Sequence, residues 1–156
     1  MSHTTITGNY FAKNLADCCD TATPGNVGIN ISSGGGGSPI TDMSVTYNTI
    51  TDEDVDIAIN TPAPVDVHYN DLLGGKIGIA DVCAYDGATI CTGTISATQN
   101  YWGCPQGPGA ALPAPVPAGP AGTVPSSGGP GGNCTTVNGS NIVYVPWSTH
   151  PVAPGH

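Results

Sequence analysis

Met-Ser-Val-Thr-Tyr-Asn-Thr-Ile (residues 43–50) and Val-Asp-Val-His-Tyr-Asn-Asp-Leu (residues 65–72) superimpose around Asn48 and Asn70. Thr-Thr-Ile-Thr-Gly-Asn-Tyr-Phe (residues 4–11) and Ile-Ser-Ala-Thr-Gln-Asn-Tyr-Trp (residues 95–102) join them around Asn9 and Asn100. Each segment has residues able to face inward five and three positions before the asparagine, and a large apolar one two positions after it. The inward sets are Thr4, Ile6 and Phe11; Met43, Val45 and Ile50; Val65, Val67 and Leu72; Ile95, Ala97 and Trp102. Alternation ahead of the asparagine is the period-two signature of a half-buried strand. The phase changes across the asparagine, which predicts a bend there. Asparagine suits a bend because it tolerates left-handed backbone angles and bonds nearby main chain through its amide.

A second strand follows at a matching distance. Val55, Ile57 and Ile59 begin seven residues after Asn48 and alternate with Asp56, Ala58 and Asn60, which are expected to face outward; Ile77 and Ile79 begin seven residues after Asn70. Val27, Ile29 and Ile31 repeat the pattern after Asn9 behind a longer loop, and Val143 with Val145 is the expected counterpart after Asn100. Units that keep strands and bends while loops vary are the coils of a solenoid, in which each turn buries its apolar face only against its neighbours. Asn9, Asn48, Asn70 and Asn100 would then stack as a ladder, each amide bonding the next.

Asn-Tyr-Trp-Gly-Cys-Pro-Gln-Gly-Pro-Gly (residues 100–109) and Val-Asn-Gly-Ser-Asn-Ile-Val-Tyr-Val-Pro-Trp (residues 137–147), with the asparagine-centred units, resemble parallel β-helix repeats of the pectate-lyase-like superfamily. The closing segments are similar to the last coils of bacterial surface β-helix proteins. The resemblance implies an all-β chain, a right-handed parallel β-helix of about four coils. Residues 1–104 would hold the coils, 105–133 a Gly/Pro-rich loop, and 134–156 a final strand and tail. It says little of activity, because one fold hosts many functions.

Composition narrows the classes. The net charge is −9 and charged residues are 8% of the chain. All carboxylates lie before residue 87, and Lys13 and Lys76 are the only strong cations. Such a surface repels nucleic acid and anionic lipid, both of which are bound through lysine and arginine. No stretch approaches the ~18 consecutive apolar residues of a spanning helix, so no membrane insertion is expected. The N-terminus shows no cationic and apolar leader, so the chain reads as a mature product or a piece of a longer protein.

Residues 105–133 are rich in glycine and proline, carry no charge and read as an extended, polyproline-like or disordered loop. Six cysteines permit many pairings. Spacing favours Cys83 with Cys91 across a short Asp-Gly turn, and Cys104 with Cys134 across the Gly/Pro loop; Cys18 and Cys19 stay unassigned. Even cysteine usage points to an extracellular or cell-surface setting. None of His3, His68, His150 and His156 lies at a zinc-ligand interval from a cysteine. Sequons at Asn30, Asn133 and Asn138 offer N-glycan sites.

Chemistry has few candidates. Asp52, Glu53, Asp54 and Asp56 cluster between paired strands; a solvated turn is the default reading and calcium the alternative, since the run lacks an Asp-x-Asp-x-Asp-Gly frame. No other cofactor is expected. The arginine base that the resemblance would imply for a lyase is missing, since both cations are lysines. Hydrolases of the family use facing carboxylates, yet Asp66 has Ser44 and Ser96 as its counterparts on adjacent coils. Tyr47 and Tyr69 each precede their asparagine and would stack side by side, while Tyr10 and Tyr101 follow theirs; such rings stabilise a solenoid or bind sugar faces.

The expectation is therefore a non-catalytic structural module. About four coils rising ~4.8 Å each make a short stack, and uncapped coil ends are templates for other chains. Homo-oligomers or end-to-end filaments follow, with the Gly/Pro loop and the tail draped on a neighbour. The alternative is a fragment of a carbohydrate-active or carbohydrate-binding β-helix protein.

Overall fold

In the computed structural model, residues 2–14, 26–32, 40–61, 63–81, 93–110, 129–139 and 141–154 are described. They form strands and no helix. Strands β1 (Ser2–Thr7), β4 (Thr41–Thr46), β7 (Val65–His68), β10 (Ile95–Ser96) and β12 (Ile142–Val143) make a five-stranded first sheet. A three-stranded second sheet holds β2 (Tyr10–Ala12), β5 (Thr49–Thr51) and β8 (Asp71–Leu73). The four-stranded third sheet holds β3 (Val27–Ser32), β6 (Val55–Asn60), β9 (Ile77–Asp81) and β11 (Thr136–Asn138). Every pairing is parallel. No sheet closes on itself, and successive passages of the chain visit the sheets in the same order. The arrangement is compatible with a parallel β-helix.

Register stacks like on like. Met43 pairs with Val65 and Val45 with Val67, Ile50 with Leu72, and Ile57 with Ile79. These side chains, with Ile95, Ala97 and Trp102, are buried in one cluster. Each such aliphatic side chain contributes about 1.5–3 kcal/mol by leaving water. The first turn contributes less, since Ile6 and Phe11 only pack against the cluster half-buried.

Asn9, Asn48, Asn70 and Asn100 are joined amide to amide. Asn48 Oδ1 accepts both the backbone N–H (3.0 Å) and the Nδ2–H (3.1 Å) of Asn9. Asn70 Oδ1 does the same for Asn48 at 3.0 and 3.0 Å, and Asn100 Oδ1 for Asn70 at 2.9 and 3.0 Å. The linked residues are 39, 22 and 30 apart in sequence, so loops of different length return to one geometry. Each Nδ2 of the later three also donates to a carbonyl of the preceding turn: Ile6, Val45 and Val67. Full satisfaction of this kind is what allows Asn48, Asn70 and Asn100 to be completely buried.

The bend itself lies one residue earlier than the sequence suggested. Gly8, Tyr47, Tyr69 and Gln99 hold the left-handed angles, with φ of 68°, 57°, 58° and 62°. The asparagines supply hydrogen bonds rather than backbone latitude, because their side chains must point inward to meet one another. A second such column, Lys13, Asp52 and Gly74, marks the corner after the second sheet.

The last passage also differs from expectation. Val143 and Val145 do not extend the third sheet; β12 pairs with β10 in the first sheet, and β11 is the strand that joins β9. The inward phase is the other one: Val143 and Val145 are 50% and 59% exposed, while Ile142 is buried and Tyr144 packs on the core. Ser148 N–H bonds Asn100 O at 2.9 Å, repeating the link by which Tyr101 N–H bonds Asn70 O.

The flanks of the Gly/Pro segment form an ordered neck, while residues 111–128 lie outside those described. Cys104 and Cys134 are disulfide-bonded with Cα atoms 5.8 Å apart. Gly109 N–H bonds Thr135 O, and Ala110 N–H bonds Gly132 O. A Cβ on Gly109 would overlap the Cys134 carbonyl, so only glycine lets the two sides of the neck approach. The Trp147 ring lies against Gly107, and its Nε1–H donates to Pro105 O at 3.2 Å. Cys18, Cys19, Cys83 and Cys91 lie outside the described residues. No helix among those described is long and apolar enough to cross a membrane.

Candidate functional site

Two regions gather polar side chains. The first is the acidic corner between β5 and β6. Asp54 takes the Lys76 ammonium at 2.7 Å and the Asn26 N–H at 3.4 Å. The Lys76 hydrogen bond, aided by Asn26 and partly opposed by burial, holds its carboxyl below the usual range. Glu53 is buried, and its Oε1 accepts the N–H and the Nδ2–H of Asn14, each at 2.9 Å. Glu53 Oε2 has no hydrogen-bond partner among the described residues.

Asp56 reverses its expectation. The alternation predicts an outward side chain, yet it is fully buried, with neither oxygen hydrogen-bonded among the described residues. The alternation of β6 breaks there, for Val55 packs with Ala58 in a second apolar cluster while Ile57 and Ile59 join the main one. Side chains at the same register on the adjacent strands would point to the core: a Cβ on Gly28 would strike Ile50, and one on Gly78 would strike Trp102 and Leu72. Burial, and then the neighbouring Glu53 and Asp52, push the Asp56 carboxyl well above its ordinary value. Asp52 is exposed. Among the described residues no three Asp, Glu, His or Cys side chains are grouped to hold a metal ion.

The second region is the outer face of the first sheet. Asp66 pairs in register with Ser44 and Ser96, and His68 with Thr46. The His68 ring sets Nδ1 3.0 Å from both Thr98 O and Thr98 Oγ1, and Nε2 3.5 Å from Ser96 Oγ and 3.7 Å from Asp66 Oδ1. A Nδ1–H donated to the Thr98 carbonyl would leave Nε2 free to accept from the serine. The amides flanking Ser96 are engaged, Ile95 N–H with Asn141 O and Ala97 N–H with Val143 O, so they offer no oxyanion donors. No second carboxylate stands beside Asp66 in register, so the pair geometry of glycoside hydrolysis is absent here. At the edge of this face the Tyr47 and Tyr69 rings stack at 5.2 Å and 10°, each about 40% exposed (42% and 40%).

Other polar residues appear only in three dimensions. Asp71 is buried and accepts the Val152 N–H at 2.7 Å and the Ala153 N–H at 3.2 Å. The described part of the tail, expected on a neighbour, thus folds back on its own chain. Burial raises the Asp71 carboxyl, and these two bonds partly offset it. Asp81 is pushed up to about 6 by burial, opposed by a hydrogen bond from Asn141. Asn138 is buried in β11 with its amide unpartnered among the described residues; Asn30 and Asn133 are exposed. Sequence reading did not single out His68, Asp71 or Asp81, and only the glycines flanking Asp56 in the repeat hinted at its burial.

No protein-family model, curated protein or solved structure matches the chain.

Proposed function

We propose that the chain is a right-handed parallel β-helix that serves as a non-catalytic structural module of an extracellular or cell-surface protein, joining further copies through its first turn. The likeness of residues 100–109 and 137–147 to the pectate-lyase-like superfamily supports the handedness and the architecture. The Cys104–Cys134 disulfide supports an oxidising location. The observation that carries the joining role is that all three sheets end together at β1, β2 and β3. No further described strand pairs with any of them. Asn9 is exposed, and its Oδ1 accepts no hydrogen bond among the described residues, although the same atom of Asn48, Asn70 and Asn100 accepts two. A sheet edge with no further strand beside it is a template for strand addition. Sedimentation velocity over a concentration series tests the reading: the mass should rise with concentration and fall back in Tyr10→Lys, which puts a charge on the β2 edge. A chain monomeric at every concentration would overturn it.

A second reading, carbohydrate binding, is favoured by one observation. Tyr47 and Tyr69 keep bulky exposed rings at left-handed backbone positions, which cost on the order of 1–3 kcal/mol for a non-glycine residue. Binding on a glycan array that disappears in Tyr47→Ala would support it.

A further inference from the structure

The tail is held in an unusual way. After Ser148 closes the last turn on Asn100, residues 149–151 run exposed, and the chain then returns to Asp71. Asp71 belongs to the third passage of the chain, and Tyr101 bridges to it from the fourth. The tail therefore ties the end of the fifth passage back to the third, across the fourth.

Its chemistry fits this task. Pro151 and Pro154 lack N–H groups and favour extended backbone, so the Pro-Val-Ala-Pro stretch offers two consecutive donors, Val152 and Ala153. Both go to one buried carboxylate, one to each oxygen. Charge-assisted bonds of this type are about twice as strong as neutral ones. The side chains add little, since Val152 and Ala153 are only half-buried and Thr149, His150, Pro151 and Pro154 are exposed. The column that carries Asp71 has Tyr10, Thr49 and Tyr101 at its other positions, none of which supplies a competing cation.

We propose that residues 149–154 are a strap latched by the Asp71 carboxylate, which clamps the last turns of the stack and opens without unfolding the rest when the latch is removed. The strap is a property of the covered end and is independent of whether copies join at the other.

Amide hydrogen exchange on the full chain tests this. The Val152 and Ala153 amides should be protected, and Asp71→Asn should reduce that protection by about tenfold or more while Val67 and Ile79 amides keep theirs. Val152→Pro, which deletes one donor next to an existing proline and leaves Asp71 intact, should free Ala153 in the same way. Unchanged protection of Ala153 in both variants would overturn the latch. So would loss of protection throughout the sheets in both, since the tail would then be part of the cooperative core rather than a strap.

Discussion

The two ends of the parallel sheets carry the same asparagine-centred pattern and are finished differently. At the first turn Asn9 is exposed, Ile6 and Phe11 are half-buried, and Tyr10 stands 56% exposed. At the last turn Trp102 is completely buried, Tyr144 meets it edge-on at 6.4 Å, Trp147 lies on Gly107, and the tail reaches back to Asp71. Trp147 follows Ile142 at the interval by which Asn100 follows Ile95, so an aromatic ring takes the place where the asparagine row would continue. A parallel strand offers hydrogen bonds on both sides, and among the described residues a distinct ending is seen at only one end of the sheets. That asymmetry is the physical basis for the proposal that copies join at the first turn.

The asparagine row gives the sharpest way to break this comparison. Asn70→Ala deletes an oxygen that accepts two buried donors from Asn48 and a nitrogen that reaches Val45 O and Asn100 Oδ1. Each stranded buried group costs about 1–3 kcal/mol, so the loss should be about 3–5 kcal/mol in denaturant unfolding. Asn9→Ala removes only exposed or half-buried bonds and should cost about 1 kcal/mol or less. Equal losses at the two positions would mean that the first turn is covered.

At the covered end, Trp147→Ala should cost about 2–3 kcal/mol, below the ~3–5 kcal/mol typical of a fully buried tryptophan because the ring is only half-buried. Proteolysis should then nick the neck while the asparagine-centred turns stay intact.

The interior acids set a pH dependence of unusual sign. Asp56 and Asp81 have folded values raised above the unfolded ones, so the folded chain binds more protons and stability falls as pH rises. For Asp81 the loss runs from its ordinary value near 3.8 to about 6 and amounts to about 2–3 kcal/mol. Asp56 continues the decline beyond its own ordinary value. Melting temperature followed between pH 4 and 8 should therefore drop, and Asp56→Asn should raise it at pH 8. A melting temperature that climbs with pH would contradict the burial of both groups.

Legibility from sequence followed how much each residue's role depends on its own strand. The inward sets around Asn48 and Asn70 were readable because period two and a repeated asparagine act locally. The Cys104–Cys134 closure was readable because the cysteines flank one excursion. Asp56 was misread since the alternation of β6 slips at that very residue, and the slip is fixed by contacts with other turns. Val143 and Val145 were misread because two valines alternate equally well in either phase, and only Tyr144 packing on Trp102 decides between them. Asp71 gave no local signal at all, since its partners are 81 and 82 residues away.

The smallest effect probes the corner before the asparagines. Gly8 occupies in the first turn the position that Tyr47 and Tyr69 occupy in the next two, all three with φ near 60°. Tyr47→Gly would relieve about 1 kcal/mol or more of left-handed strain and lose a ring stack of about 0.5–1.5 kcal/mol, so the net change in unfolding free energy should lie within about 1 kcal/mol of zero. Near-neutral stability would mean that the rings are not retained for folding. Coupled with loss of glycan binding, it would move the outer face of the first sheet from scaffold to recognition surface. A clear destabilisation would instead make the tyrosine pair an interior counterpart of the aromatic ending at Trp147.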